Sequence, residues 1–182
     1  MMAGRSHDSW EARYVIVVRE GGHQQFFARL LQAVDVTSLV IVSPWVSSLA
    51  GEVTLASILD FIDRNRVPTV AIMRHPSKES MNLEAATALR QSRNVVLYYN
   101  NELHAKVYVC RCAPFGFALL GSANLTGKAT RSHEVGLMIE GKGPGAEIVE
   151  ELEVLGWHDI PNRAGTTKDP QSRGLPPIVQ EE

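Results

Sequence analysis

Three short uninterrupted apolar runs, Leu39-Val40-Ile41-Val42, Val70-Ala71-Ile72-Met73 and Val95-Val96-Leu97-Tyr98, alternate along the chain with stretches of helical periodicity. A strand with one wet face alternates apolar and polar residues, so a run that is apolar at every position is expected to be covered on both faces. Helical spacing is carried by Phe26, Phe27, Leu30, Leu31 and Val34 within residues 24–34, and by Leu55, Ile58, Leu59 and Ile62 after Gly51. A further helix over residues 82–93 completes a second crossover. This order predicts an α/β fold, a mixed β-sheet sandwiched between helices, with a largely parallel first half.

After Asn94 the rhythm changes. Strands are predicted through Val95 to Val109 with a break near Asn100-Asn101, at Phe117 to Ser122, and at Glu134 to Ile139, joined only by loops. Such spacing calls for antiparallel neighbours, and Pro114-Phe115-Gly116 marks one of the turns. A last helix over residues 145–155 offers Ile148, Val149, Leu152 and Leu155 to the core. One domain over residues 1–158 is expected, followed by a Pro/Gly-rich tail over 159–182 that contains Pro161, Gly165, Pro170, Gly174, Pro176 and Pro177.

With 182 residues, 45% hydrophobic and 21% charged, the chain has the balance of a soluble globular protein. No apolar stretch is long enough for a membrane-spanning helix and the first nine residues contain no apolar run, so a cytoplasmic protein without membrane insertion is expected. Cys110 and Cys112, two apart on one strand, are badly placed to bridge each other and read as thiols. Charge is unevenly spread. Residues 64–133 hold ten Lys or Arg against three acids, a net of +7, whereas residues 134–182 hold four against ten, a net of −6. A basic block of this size suits a polyanion.

Within that block lie His104 and Lys106, then Gly121-Ser122-Ala123-Asn124, with Glu134 just beyond it. Side chains two apart on a strand share a face, so His104 pairs with Lys106, and Ser122 with Asn124. Two adjacent strands could thus present an imidazole, an ammonium, a hydroxyl and an amide to one phosphate-sized pocket. Each residue also has an ordinary structural reading. His104 could be a sheet histidine, Ser122 and Asn124 could end a strand and cap a loop, and Glu134 could pair with Arg131 or Lys128.

The combination resembles the phospholipase D superfamily, whose signature is His-x-Lys, four residues, Asp, and a downstream Gly-Ser-x-Asn. It is most similar to single-motif nuclease-like members, in which a carboxylate follows within a segment like Ser132-His133-Glu134-Val135-Gly136-Leu137. The resemblance extends upstream to the strand ending Ser43-Pro44-Trp45. It departs at one position, where Arg111 stands in place of the Asp. By strand parity residue 111 points away from the face of His104 and Lys106.

The resemblance implies a phospholipase D-like fold and a two-fold homodimer, since one copy of the motif must meet a second across the site. It implies a metal-independent phosphodiesterase, a DNA nuclease working through a phosphohistidine on His104, with a role in restriction or phage defence. Lys106, Asn124 and Ser122 would hold phosphate, and Glu134 would accept from the imidazole. No cofactor or metal is called for. The partners implied are nucleic acid, DNA ahead of RNA, and a targeting or helicase-type protein, because no separate recognition module is evident. Two alternatives stay open: a phospholipid phosphodiesterase or transphosphatidylase, and a catalytically impaired nucleic-acid-binding dimeric scaffold. His75 and Trp45, both at strand ends, are expected to line the rim or pack.

Overall fold

The computed structural model describes residues 14–47, 53–127 and 133–174. Lys128, Arg131, Ser132 and the tail beyond Gly174 lie outside the described residues. Eight strands form one mixed sheet: β1 Val15–Arg19, β2 Val36–Val42, β3 Thr69–Met73, β4 Val95–Asn100, β5 Val107–Cys112, β6 Phe117–Gly121, β7 Val135–Glu140 and β8 Thr166–Lys168. Their order across the sheet is β1-β7-β6-β5-β2-β3-β4-β8. β2, β3 and β4 are parallel, and every other pairing is antiparallel.

Helices cover both faces, as the apolar runs require. On one face lie α1 Gly22–Leu30, α2 Leu55–Asn65 and α3 Leu83–Gln91, which bury Phe26, Phe27, Ile58, Ile62 and Leu89 against Leu39, Ile41, Tyr108 and Phe117. On the other lies α4 Pro144–Val154 with a π-helical turn, Leu155–Asp159, packing Val149 and Trp157 on Val40, Val42, Val109 and Ala118. The close approach of that turn needs a glycine, because a Cβ on Gly156 would sit 2.3 Å from Val40 Cγ1. α2 begins with Thr54 and Ser57 capping each other's backbone, the reciprocal arrangement that satisfies two otherwise unpaired amides.

Three differences from the sequence reading matter. The strand expected from Leu103 begins only at Val107, so His104 and Lys106 lie in an extended segment that leads into β5. β1 was not foreseen; it pairs with β7 from the opposite end of the chain. Residues 159–174, read as part of a tail, carry defined structure. β8 extends the sheet beyond β4, and Asp169, 1% exposed, accepts from Tyr99 Oη and Arg90 Nε at 2.5 Å each. Polar side chains, not an apolar pattern, fasten this segment, which is why periodicity could not find it.

Candidate active site

Strand directions bring distant parts of the sequence to one edge of the sheet. β2, β3 and β4 end there, β5 begins there, β6 ends there and β7 begins there. Ser43-Pro44-Trp45, Arg74-His75, the 101–106 segment, Ser122–Leu125 and Glu134 therefore share an edge. β5 lies between β6 and β2, so the approach to β5 is flanked by Gly121-Ser122 on one side and Ser43-Trp45 on the other.

Backbone and side-chain bonds set this edge. Gly121 N–H donates to the Lys106 carbonyl at 3.2 Å, and Ser122 exchanges backbone and hydroxyl bonds with Val135. Gly121 faces Gly136 in register; a Cβ on Gly121 would lie 2.8 Å from Val135 O, so this close approach excludes any larger residue. Beyond Ser122 the chain folds back across β5. Tyr108 Oη donates to Ala123 O at 3.0 Å, and Leu125 N–H donates to the Ser43 hydroxyl at 3.1 Å, which donates in turn to Trp45 O. Asn124 is thereby carried over the site, with its Oδ1 buried and without a donor among the described residues.

His104 is exposed, and no hydrogen bond to its ring is formed among the described residues. Lys106 Nζ donates to the His104 carbonyl at 2.8 Å and stands 5.9 Å from the Trp45 ring. Ser122 Oγ donates to the Glu134 carboxylate. The bond expected between Glu134 and His104 is not formed in the single chain; Glu134 holds Ser122 instead. Behind it, His23 in the first turn of α1 is fully buried with neither ring nitrogen paired among the described residues. Burial pushes the His23 imidazole below its usual value, and the negative charge of Glu134 opposes that shift.

Arg111 lies on the opposite face, as parity predicts, and pairs with Glu153 of α4 at 3.1 Å. Ser43, His23, Asn82 and Arg74 also belong to this edge, and none is singled out from the sequence as a site residue. Asn82, fully buried, binds Val46 N–H, Pro44 O and Arg74 O, so it ties the ends of β2 and β3 together. None of these residues has a telling spacing in the sequence; only the topology brings them to the edge. Among the described residues no group of three His, Cys, Asp or Glu is placed to hold a metal ion. No helix among them is long and apolar enough to cross a membrane.

No family model and no curated protein matches the sequence. Solved structures do. The phospholipase D family member Nuc from Salmonella typhimurium aligns with a TM-score of 0.55 at 15% identity, over 85% of this chain and 98% of that one. A polyphosphate kinase from Porphyromonas gingivalis aligns at 0.54 and 17% identity; 79% of this chain is covered, but only 26% of the kinase. NucT from Helicobacter pylori aligns at 0.49 and 16% identity, over 76% and 92% of the two chains. The protein has the phospholipase D-like fold. Its mixed eight-stranded sheet between two helical layers is the architecture the motif resemblance implies.

Proposed function

We propose that the protein is a metal-independent phosphodiesterase acting on nucleic acid, DNA ahead of RNA, from a composite site between two copies of the chain. The observation that carries this reading is the meeting of His104, Lys106, Ser122, Asn124 and Glu134 at one sheet edge, with the ring of His104 exposed.

In the proposed reaction, a ring nitrogen of neutral His104 attacks phosphorus and the P–N bond forms as the P–O bond to the leaving group breaks. That oxygen takes a proton from His104 of the partner subunit. Water then attacks phosphorus, its proton passes to the same imidazole, and the P–N bond breaks. The scheme needs one ring to attack and the other to donate, so the two copies of His104 take different roles in the same turnover. Lys106 and Asn124 offset charge on the non-bridging oxygens, each donor contributing about 3 kcal/mol in sites of this type. Ser122 gives its one hydroxyl proton to Glu134, so it contributes a donor to phosphate only if that hydroxyl turns away from the carboxylate.

A surface for the second copy adjoins the site. α4 covers the far half of β1 and β7, while Val17, Val135 and Leu137 on the same face remain 59%, 59% and 42% exposed. Val135 directly follows Glu134. An apolar patch at the rim of a half-site is a natural two-fold contact. Restriction or defence, and direction by a targeting or helicase-type partner, complete the proposal. The ion pair of Arg111 on the far face argues against reading that residue as a mark of decay.

The test is incubation of the purified protein with plasmid DNA, RNA and phosphatidylcholine vesicles in EDTA. Nicked or linear DNA, lost with His104→Ala, is expected. Release of choline without DNA cleavage would favour the lipid alternative, and DNA retention without cleavage at any pH would favour the scaffold.

A further inference from the structure

His104 occupies a segment with no regular secondary structure, residues 101–106, so something other than a strand ladder must fix its position. Leu103 is buried, and its N–H donates to Asn100 O at 3.2 Å. Lys106 Nζ binds the His104 carbonyl within the same segment. Among the described residues, one side chain from another element holds the peptide entering His104: Arg74, beyond the end of β3, donates from Nε to the Leu103 carbonyl at 3.1 Å.

Arg74 is itself fixed on every side. Its guanidinium lies 4.9 Å from the Trp45 ring centroid and pairs with Glu79 at 3.1 Å, and its side chain is 18% exposed. Its N–H donates to Pro44 O, and its carbonyl accepts from buried Asn82. Trp45 and Arg74 together hold the Glu79 carboxyl below its usual value, so the guanidinium charge is answered inside the cluster. A neutralised, wedged guanidinium is badly placed to attract substrate and well placed to hold a backbone carbonyl.

We infer that Arg74 is a positioning residue: its single Nε–H, locked by Trp45, Glu79 and Asn82, sets the peptide that aims the His104 ring. The inference rests on the proposed role of His104 in phosphodiester cleavage. Misplacing a reacting group by about 1 Å can cost roughly a hundredfold in rate, so a single backbone bond can matter.

Three substitutions separate the options. Arg74→Gln places an amide N–H at the position of Nε and removes the charge. Arg74→Met has the same reach without a donor, and Arg74→Lys keeps the charge without a donor at that atom. On a fluorescent oligonucleotide, R74M and R74K are expected to lower kcat about tenfold or more with KM within about threefold, while R74Q recovers kcat to within about threefold of wild type. The opposite order, rescue by Lys and not Gln, or a loss confined to KM, would overturn the inference in favour of a substrate-binding cation.

A second readout does not depend on turnover. The His104 ring signals in a 1H–13C spectrum, identified by their loss in His104→Ala, should be single and narrow in wild type and R74Q but broadened or doubled in R74M and R74K. Unchanged His104 signals in R74M would sink the positioning role. If wild-type protein cleaves no substrate, the phosphodiesterase reading fails alone and these spectra still decide what Arg74 does.

Discussion

His104 and His23 sit in opposite environments at the same edge of the sheet, one ring open to solvent and the other closed in the core. The exposed ring of His104 makes no hydrogen bond among the described residues, so removing it should cost the fold little. His104→Ala is expected to drop cleavage by about a thousandfold or more while thermal unfolding stays within a few degrees of wild type. His23 is fully buried and its pKa is lowered by that burial against the pull of Glu134. A lowered folded-state pKa means the folded protein binds the proton less readily than the unfolded chain. Stability from this site is complete above about pH 6.5 and declines as pH falls below it, with a limiting slope of about 1.4 kcal/mol per pH unit. Urea midpoints at pH 7.5 and 5.5 should therefore differ more for wild type than for His23→Leu. An equal difference in both would remove His23 from the account. Of the candidate site, His104, Lys106, Ser122, Asn124 and Glu134 were legible because residue type and interval coincide. Ser43, Asn82 and His23 were not, since each acts through a neighbour far away in sequence.

Elements show the same division. β2, β3 and β4 could be read from their apolar runs because each is covered on both faces. β1, with Val15-Ile16-Val17-Val18, has the same character, but its partner lies in β7 and nothing in its own neighbourhood announces a pairing. β8 is three polar residues at an edge, Thr166–Lys168, and is held through side chains. Asp169 is the anchor. Burial would raise its carboxyl, but the bonds from Tyr99 and Arg90 outweigh this and hold it below the usual value, while Tyr99 is pushed up to about 12 by burial and by that carboxylate. A depressed acid stabilises the fold above its unfolded pKa of about 4 and loses that contribution as pH falls through the folded value. Asp169→Asn should cost about 1–3 kcal/mol at pH 7 and flatten the acid limb of the stability curve below pH 4. β5 offers a second check. Its strand parity, readable from the sequence, turns Arg111 toward Glu153 on the α4 face. Restoring the signature residue with Arg111→Asp would set two carboxylates together; it should lower stability by about 1 kcal/mol and raise cleavage not at all. A gain in rate would show that residue 111 reaches the site.

At the scale of the molecule, charge and apolar surface are both unevenly distributed. Lys106 leads into β5 and Arg74 and Lys78 follow β3 at the site edge, whereas Arg64, Arg66, Arg90 and Arg93 lie at the C-terminal ends of α2 and α3 at the opposite edge, and Glu147, Glu150, Glu151 and Asp159 line a groove of about 740 Å³ along α4 and its π-helical turn. A polyanion would be repelled from the α4 surface. The exposed apolar residues Val17, Val135 and Leu137 lie on β1 and β7 near the site edge, and a second copy seated there would bring a second His104 toward the first. Two measurements bear on this arrangement. Val17→Asp with Leu137→Asp, both on exposed positions of an intact sheet, should yield a folded monomer by light scattering, inactive at concentrations where wild type cuts. Mixing wild type with an equal amount of His104→Ala, with time for subunits to exchange, should leave about a quarter of the activity of the undiluted wild type if both imidazoles are needed in one site. Independent subunits would leave about half, because each wild-type chain would still work beside a dead partner. The quarter follows from counting dimers that keep both rings, so the mixing curve reads the composition of the site directly, without any assumption about which ring attacks.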